Sequence, residues 1–276
     1  MAYAASKYIN VVPEIEMPGH ALAALASYPE LSFDSTQTYK VSPTWGVFEQ
    51  VFCPSETTFK FFEGVMDEVV ELFPSEYIHI GGDECPKTAW KNSAFCQQLI
   101  RQLGLKDDVT PSKVDGVKHS KEDKLQSYFV TRMEKYLNDK GRNIIGWDEI
   151  LEGGLAPNAT VMSWRGVEGG LNAAKAGHNA IMTPMPYAYL DFYQEDPAIA
   201  PTTIGGYTTL KKTYSYNPAP DDADELVKKH VIGMQGNIWR EYMKNSDRTD
   251  YQAFPRAMAI AETGWTLDAN IMAGRD

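Results

Sequence analysis

Short apolar runs rich in β-branched and aromatic residues recur along the chain, and stretches with apolar residues at helical spacing separate most of them. The runs are residues 8–14, 77–81, 143–147, 160–164, 179–183 and 231–236. Residues 59–72, behind Ser55 and Glu56, residues 121–137 and residues 251–265 read as amphipathic helices. Strands alternating with helices predict a parallel sheet covered on both faces, the α/β class. Two connections, residues 21–55 and 183–231, are long and rich in Pro, Tyr, Ser and Gly, which is where function concentrates. Residues 106–121 are polar and read as a surface excursion within one domain spanning residues 1–276.

A chain of 276 residues, 43% hydrophobic, can bury one large core, and α/β barrels of about 250 residues form single domains. The formal net charge of −11 argues against nucleic acid or an anionic membrane as partner, since both call for a basic face. No run of 18 apolar residues occurs, and Met1 to Ala5 lacks the basic start and long apolar stretch of a signal peptide, so these residues specify no location. Cys53, Cys85 and Cys96 are too few for a disulfide framework; one bridge and one leftover thiol are the most they allow. The five histidines include no pair at metal-ligand spacing and no phosphate-cradling glycine loop is present, so no metal or cofactor is expected.

The segment Tyr77-Ile78-His79-Ile80-Gly81-Gly82-Asp83-Glu84 stands out, a strand that delivers two adjacent carboxylates through two glycines. The C-terminal ends of strands are where α/β barrels keep their chemistry. Neighbouring acids cannot straddle a glycosidic bond, because a cooperating pair stands about 5 Å or about 6.5–9.5 Å apart. One of the two must serve another purpose. Glu84 against apolar walls would keep its proton and act as an acid, while an ionised Asp83 orients a neighbouring group. The structural alternative is that Asp83 caps a following helix and Glu84 lies exposed in its first turn. His79 is expected to be a core histidine, and Asp148 a helix N-cap for Glu149-Ile150-Leu151.

The hexapeptide His79-Ile80-Gly81-Gly82-Asp83-Glu84 resembles the signature of glycoside hydrolase family 20, the β-N-acetylhexosaminidases. Pro13-Glu14-Ile15-Glu16-Met17-Pro18-Gly19-His20 resembles the family's third barrel strand and loop. Gly146-Trp147-Asp148-Glu149 and Ser163-Trp164 resemble its fifth and sixth strand ends, and Tyr189-Leu190-Asp191 and Gln235 to Glu241 its seventh and eighth. The resemblance implies a TIM (β/α)8-type barrel without its first two strands in this chain. It implies Glu84 as general acid/base and Asp83 as the residue that orients the substrate's acetamido group, whose oxygen attacks the anomeric carbon. It further implies Tyr189 on the acetamido oxygen, Trp147, Trp164 and Trp239 as pocket walls, Asp191 and Glu241 on ring hydroxyls, and His20 beside the catalytic acid. The substrate would be a terminal β-linked N-acetylglucosaminide or N-acetylgalactosaminide, with no cofactor, and family habit points to an extracellular or periplasmic setting; the alternative is a non-catalytic carbohydrate-binding or inactive remnant of such a barrel. A barrel of six strands would expose two edges, which pairing of two copies or a separately supplied N-terminal fragment would cover.

Overall fold

The computed structural model describes residues 1–265 and divides into two compact units, Met1–Val161 and Met162–Asp276. In the first unit, β1 (Tyr77–His79) pairs in parallel with β2 (Asn143–Trp147), in the register Tyr77 to Asn143, Ile78 to Ile144 and His79 to Ile145. The predicted strand at residues 8–14 forms differently. Tyr8 sits at φ 58°, outside the extended region, and the chain joins the sheet only from Pro13 to Met17. There Pro13 O accepts from His79 N–H, Ile15 N–H donates to His79 O, and Met17 N–H donates to Ile80 O. The pairing thus lies a few residues later than the apolar pattern suggests, and it carries Glu14 and Glu16 rather than Tyr8.

Two helices cover this sheet. Ser55 caps Glu56–Leu72 by accepting from Thr58 N–H, and Ser120 and Asp123 form a reciprocal capping box at the start of Lys121–Asp139. The helices meet through Phe59 and Phe129, whose rings are 4.7 Å apart, and through a paired contact of the Arg132 guanidinium with the Glu56 carboxylate. Residues 106–120 fold back onto the second helix, where Lys124 Nζ donates to Asp108 Oδ1 and to Lys106 O, each at 2.6 Å.

The chain passes from the first unit to the second within β3 (Thr160–Ser163). In the second unit Thr183 N–H donates to Ser163 O, and β4 (Ala180–Met182) pairs in parallel with β5 (Val231–Met234), with a register shift after Ala180. The helix expected over residues 251–265 is two helices, Ser246–Ala253 and Arg256–Trp265. Pro255 separates them, since its nitrogen has no proton to continue the ladder. Among the described residues no helix is long and apolar enough to cross a membrane.

Candidate active site

The first unit gathers an acidic cluster at the C-terminal end of β1. Gly81 and Gly82 have φ of 69° and 96°, which glycine adopts without penalty. Space excludes a side chain at either. A Cβ on Gly81 would lie 2.0 to 2.1 Å from all three carboxyl atoms of Glu16, and one on Gly82 would lie 2.7 Å from Ile150 Cγ2. The glycines therefore admit neighbours from this chain itself, a reason the sequence pattern does not reveal.

The loop after the glycines is tied down along its length. Trp147 N–H donates to Gly81 O at 2.8 Å, and Gly82 N–H donates to Glu16 Oε1 at 2.9 Å. Gln126 Nε2 donates to Gly82 O at 2.7 Å from the Lys121–Asp139 helix, and Lys87 Nζ donates to Cys85 O at 2.8 Å. Neither structural alternative for the acids is realised. The next helix begins only at Thr88, so Asp83 caps nothing, and Glu84 sits in the loop at φ 44°. Asp148 is likewise not an N-cap: it lies inside the 3-10 turn Asp148–Leu151, whose cap position is Trp147, and it is buried.

His20 faces both acids. Its Nε2 is 3.5 Å from Asp83 Oδ2 and 3.3 Å from Glu84 Oε2, and its own φ is 46°. Two residues without Gly's freedom thus hold left-handed backbone within one cluster, a strain that folded chains tend to keep at working sites. The hydrogen bond to Asp83 raises the His20 pKa, against the opposing effect of burial, with the charges of Asp83 and Glu84 adding to the rise. Burial raises the Glu84 carboxyl above its ordinary value, helped by the charge of Asp83 and opposed by His20. One histidine and two carboxylates with donor atoms within 4.8 Å of one another also make a set that could hold a cation. Sequence spacing misses it because the fold, not the chain, brings His20 to the acids.

Two further acids join this cluster that residue-by-residue reading passed over. Burial and the neighbouring Asp83 charge push the Glu16 carboxyl far above its usual range, and it shares a hydrogen bond with Asp83. Glu14 Oε1 accepts from Trp147 Nε1 at 2.9 Å and lies 3.1 Å from His79 Nδ1. His79 is buried, with its ring 4.8 Å from that of Trp147, and its Nδ1 is also 3.0 Å from Gly81 N–H. The signal for both acids was available: Glu14 and Glu16 are two apart in an extended segment and so share one face.

The second unit places its own candidates on another strand end. Tyr189 and Asn237 form a parallel bridge; Leu190 N–H donates to Asn237 O at 2.7 Å and Asn237 N–H to Ala188 O at 2.8 Å. Tyr189 lies 6.3 Å, ring to ring, from Trp164 and 5.4 Å from Phe192. Asp191 is 4% exposed, and burial pushes its carboxyl up to about 7, with the charge of Glu241 adding to the rise while backbone N–H groups and Arg256 oppose it. Behind it the fully buried Arg256 donates to the carbonyls of Leu190 (2.5 Å), Gln252 (2.7 Å), Thr208 (2.8 Å) and Phe192 (3.2 Å). Trp239 is exposed, and the exposed Glu241 lines a cavity of about 570 Å³ with Tyr242, Lys244 and Arg248.

Comparison with known proteins gives a consistent result. The model described as "Glycosyl hydrolase family 20, catalytic domain" matches residues 1–268. A β-hexosaminidase of Porphyromonas gingivalis is 50% identical over 96% of this chain, and one of Vibrio furnissii is 35% identical over 99%. The chain spans only 32% and 43% of those two proteins. Among solved structures, the exo β-N-acetylglucosaminidase of Vibrio harveyi in complex with N-acetylglucosamine superposes with a TM-score of 0.79 at 31% identity, over 99% of this chain and 42% of that one. The parallel α/β fold is thus that of part of a TIM (β/α)8-type barrel.

Proposed function

Since the chain belongs to glycosyl hydrolase family 20, we propose that it carries the acid machinery of a β-N-acetylhexosaminidase, which removes terminal β-linked N-acetylglucosamine or N-acetylgalactosamine with retention. The observation that carries this reading is the unequal pair Asp83 and Glu84 under His20. Burial favours the protonated form of Glu84, which suits it to protonate a leaving oxygen. Glu16 is the acid of the cluster that burial and charge most strongly keep protonated, so it keeps its proton and can donate a hydrogen bond to Asp83, leaving that carboxylate ionised. An ionised Asp83 can take a hydrogen bond from the N–H of a substrate acetamido group and raise the nucleophilicity of its carbonyl oxygen. That oxygen then attacks the anomeric carbon while Glu84 gives its proton to the departing oxygen. Water, deprotonated by Glu84, opens the cyclic oxazolinium and restores the acid. Retaining enzymes of this class are the recognised exception to the rule of two cooperating carboxylates.

The other residues take their roles from the family resemblance. Trp147, its indole N–H held by Glu14, takes the role of a pocket-wall residue, and the same role is assigned to Trp164 and to Trp239. Tyr189 donates to the acetamido oxygen, and Asp191 and Glu241 bind ring hydroxyls. A neutral amino-sugar glycoside agrees with the net charge of −11, and no step requires a metal ion or cofactor.

The test is release of chromophore from an aryl β-N-acetylglucosaminide by wild type and by Glu84→Gln at equal folded concentration. Loss of a general acid lowers kcat about 10²–10⁴-fold. Asp83→Asn should also lower kcat, and more strongly for the acetamido substrate than for an aryl glycoside whose 2-substituent is a hydroxyl. Equal turnover by wild type and Glu84→Gln would refute the reading.

A further inference from the structure

The main chain on either side of Asp83 and Glu84 is held by two side chains that also hold each other. Gln126, a buried residue of the Lys121–Asp139 helix, donates through Nε2 to Gly82 O at 2.7 Å, and its Oε1 accepts from Lys87 Nζ at 2.5 Å. The same Lys87 Nζ donates to Cys85 O at 2.8 Å. One carboxamide and one ammonium thus join the carbonyls of residues 82 and 85, which bracket the two acids. The carboxamide fits only one way round. Turned over, it would set an NH2 group against an ammonium and an oxygen against a carbonyl. Lys87 is fixed in turn, with Nζ 3.9 Å from Asp123 Oδ1 and 5.8 Å from the ring centre of the fully buried Trp90. Asp123 belongs to the capping box of the Gln126 helix, and Trp90 Nε1 donates to Phe52 O at 3.0 Å. The backbone held in this way is bent against its own preference. Glu84 has φ 44°, a conformation that a residue with a Cβ keeps only where its surroundings impose it, and in that conformation its Oε2 lies 3.3 Å from His20 Nε2.

We propose that Lys87 and Gln126 are positioning residues for the glycoside cleavage, a clamp that keeps the arch from Gly82 to Cys85 bent so that the Glu84 carboxyl meets the departing oxygen. The inference rests on the reading of Glu84 as the general acid. Both residues act through main-chain oxygens, Gln126 on one side of the acid pair and Lys87 on the other. With the clamp broken, the arch relaxes and the acid moves out of line with the oxygen it protonates, and a misplacement of about 1 Å costs about 10²-fold in rate. The loss has a signature. A leaving group whose phenol is weakly acidic needs the proton, whereas one whose phenol is strongly acidic departs with little help. A misplaced acid therefore slows the first far more than the second. A smaller folded fraction would slow both by one factor.

The experiment compares kcat and KM on a methoxyphenyl and a dinitrophenyl β-N-acetylglucosaminide for the full chain as wild type, Lys87→Met, Gln126→Glu, the double variant and Glu84→Gln, at matched folded concentration. Gln126→Glu keeps the size of the side chain and the acceptor for Lys87 but sets a carboxylate oxygen against Gly82 O, so it opens the clamp without leaving a cavity. In both single variants kcat on the methoxyphenyl glycoside should fall about 10–10²-fold, kcat on the dinitrophenyl glycoside only a few-fold, and KM should hardly change. The double variant should lose no more than the worse single one, because the two residues form one unit. Hydrogen exchange adds a readout without turnover: the peptide over residues 82–87 should exchange about ten-fold faster in each variant than in wild type. Equal losses on the two glycosides, single losses that multiply in the double variant, or unchanged exchange over residues 82–87 would overturn the clamp, while Glu84→Gln still showed the selective loss. A Glu84→Gln chain without the selective loss would overturn the acid itself, and the clamp with it.

Discussion

The acidic loop after β1 and the strand end at Tyr189–Asp191 solve one problem in opposite ways. Each must present a carboxyl group inside a largely dry environment. The first unit does so by numbers: Glu14, Glu16, Asp83 and Glu84 crowd together, two histidines stand among them, and protons are shared so that the charges need not all be present at once. The second unit buries Asp191 over an arginine whose two terminal nitrogens are spent on four backbone carbonyls. Proton placement governs one arrangement and backbone anchoring the other. An arrangement built on shared protons suits a group that must give and take a proton; an anchored one suits a group that must hold its position.

Arg256 offers the largest test of that difference. Arg256→Met would leave the carbonyls of Leu190, Phe192, Thr208 and Gln252 without their donor, and a loss of about 3–5 kcal/mol is expected in urea unfolding, the scale for breaking a buried charged network. A loss under about 1 kcal/mol would mean that the anchor is not what holds the Asp191 strand end. In the first unit, Gly81→Ala should cost about 3 kcal/mol, combining left-handed strain with the overlap on Glu16. Its effect on kcat should exceed that of any change on the outer face of the Glu56–Leu72 helix, because the displaced Glu16 would lose the hydrogen bond that it donates to Asp83.

A smaller effect separates the two carboxyl environments by pH. The folded-state pKa of Asp191 lies above its ordinary 3.8, at about 7, so the stability linked to its proton is complete below pH 3.8 and is lost as pH rises through 7. Asp191→Asn should therefore be more stable than wild type at pH 8, by about 1–2 kcal/mol, with a higher unfolding temperature, and should unfold at nearly the same temperature as wild type at pH 4. Thermal scans at the two pH values decide this. A variant equally stable or less stable than wild type at pH 8 would show that Asp191 is better solvated than its burial implies.

The sequence made the strand ends legible because each combines an apolar run with glycine or with a strand-end aromatic and acid. Tyr77 to Glu84 is the clearest case, and its strand and loop form where the pattern placed them. The grouping of His20 with Asp83 and Glu84 could be read only from resemblance, since no local periodicity connects residue 20 with residues 83 and 84. The single helix expected over residues 251–265 failed at Pro255, a break that Pro chemistry announces and amphipathic spacing hides. Arg256 was invisible for a different reason. Its role consists entirely of bonds to main-chain oxygens, and main-chain oxygens leave no mark on a sequence. The two glycines are legible as positions that need space, but a sequence does not show that Glu16 and Ile150 fill it.

The interlock between Gly81 and Glu16 also limits how such a site can change over generations. With the Glu16 carboxyl against the Gly81 Cα, the two positions are not free to vary separately. A side chain at 81 becomes tolerable only after residue 16 has shortened, so a lineage must take the steps in that order or not at all. Descendants of such a chain would show the two positions moving together, and drift at either one would be a record of what had already happened at the other.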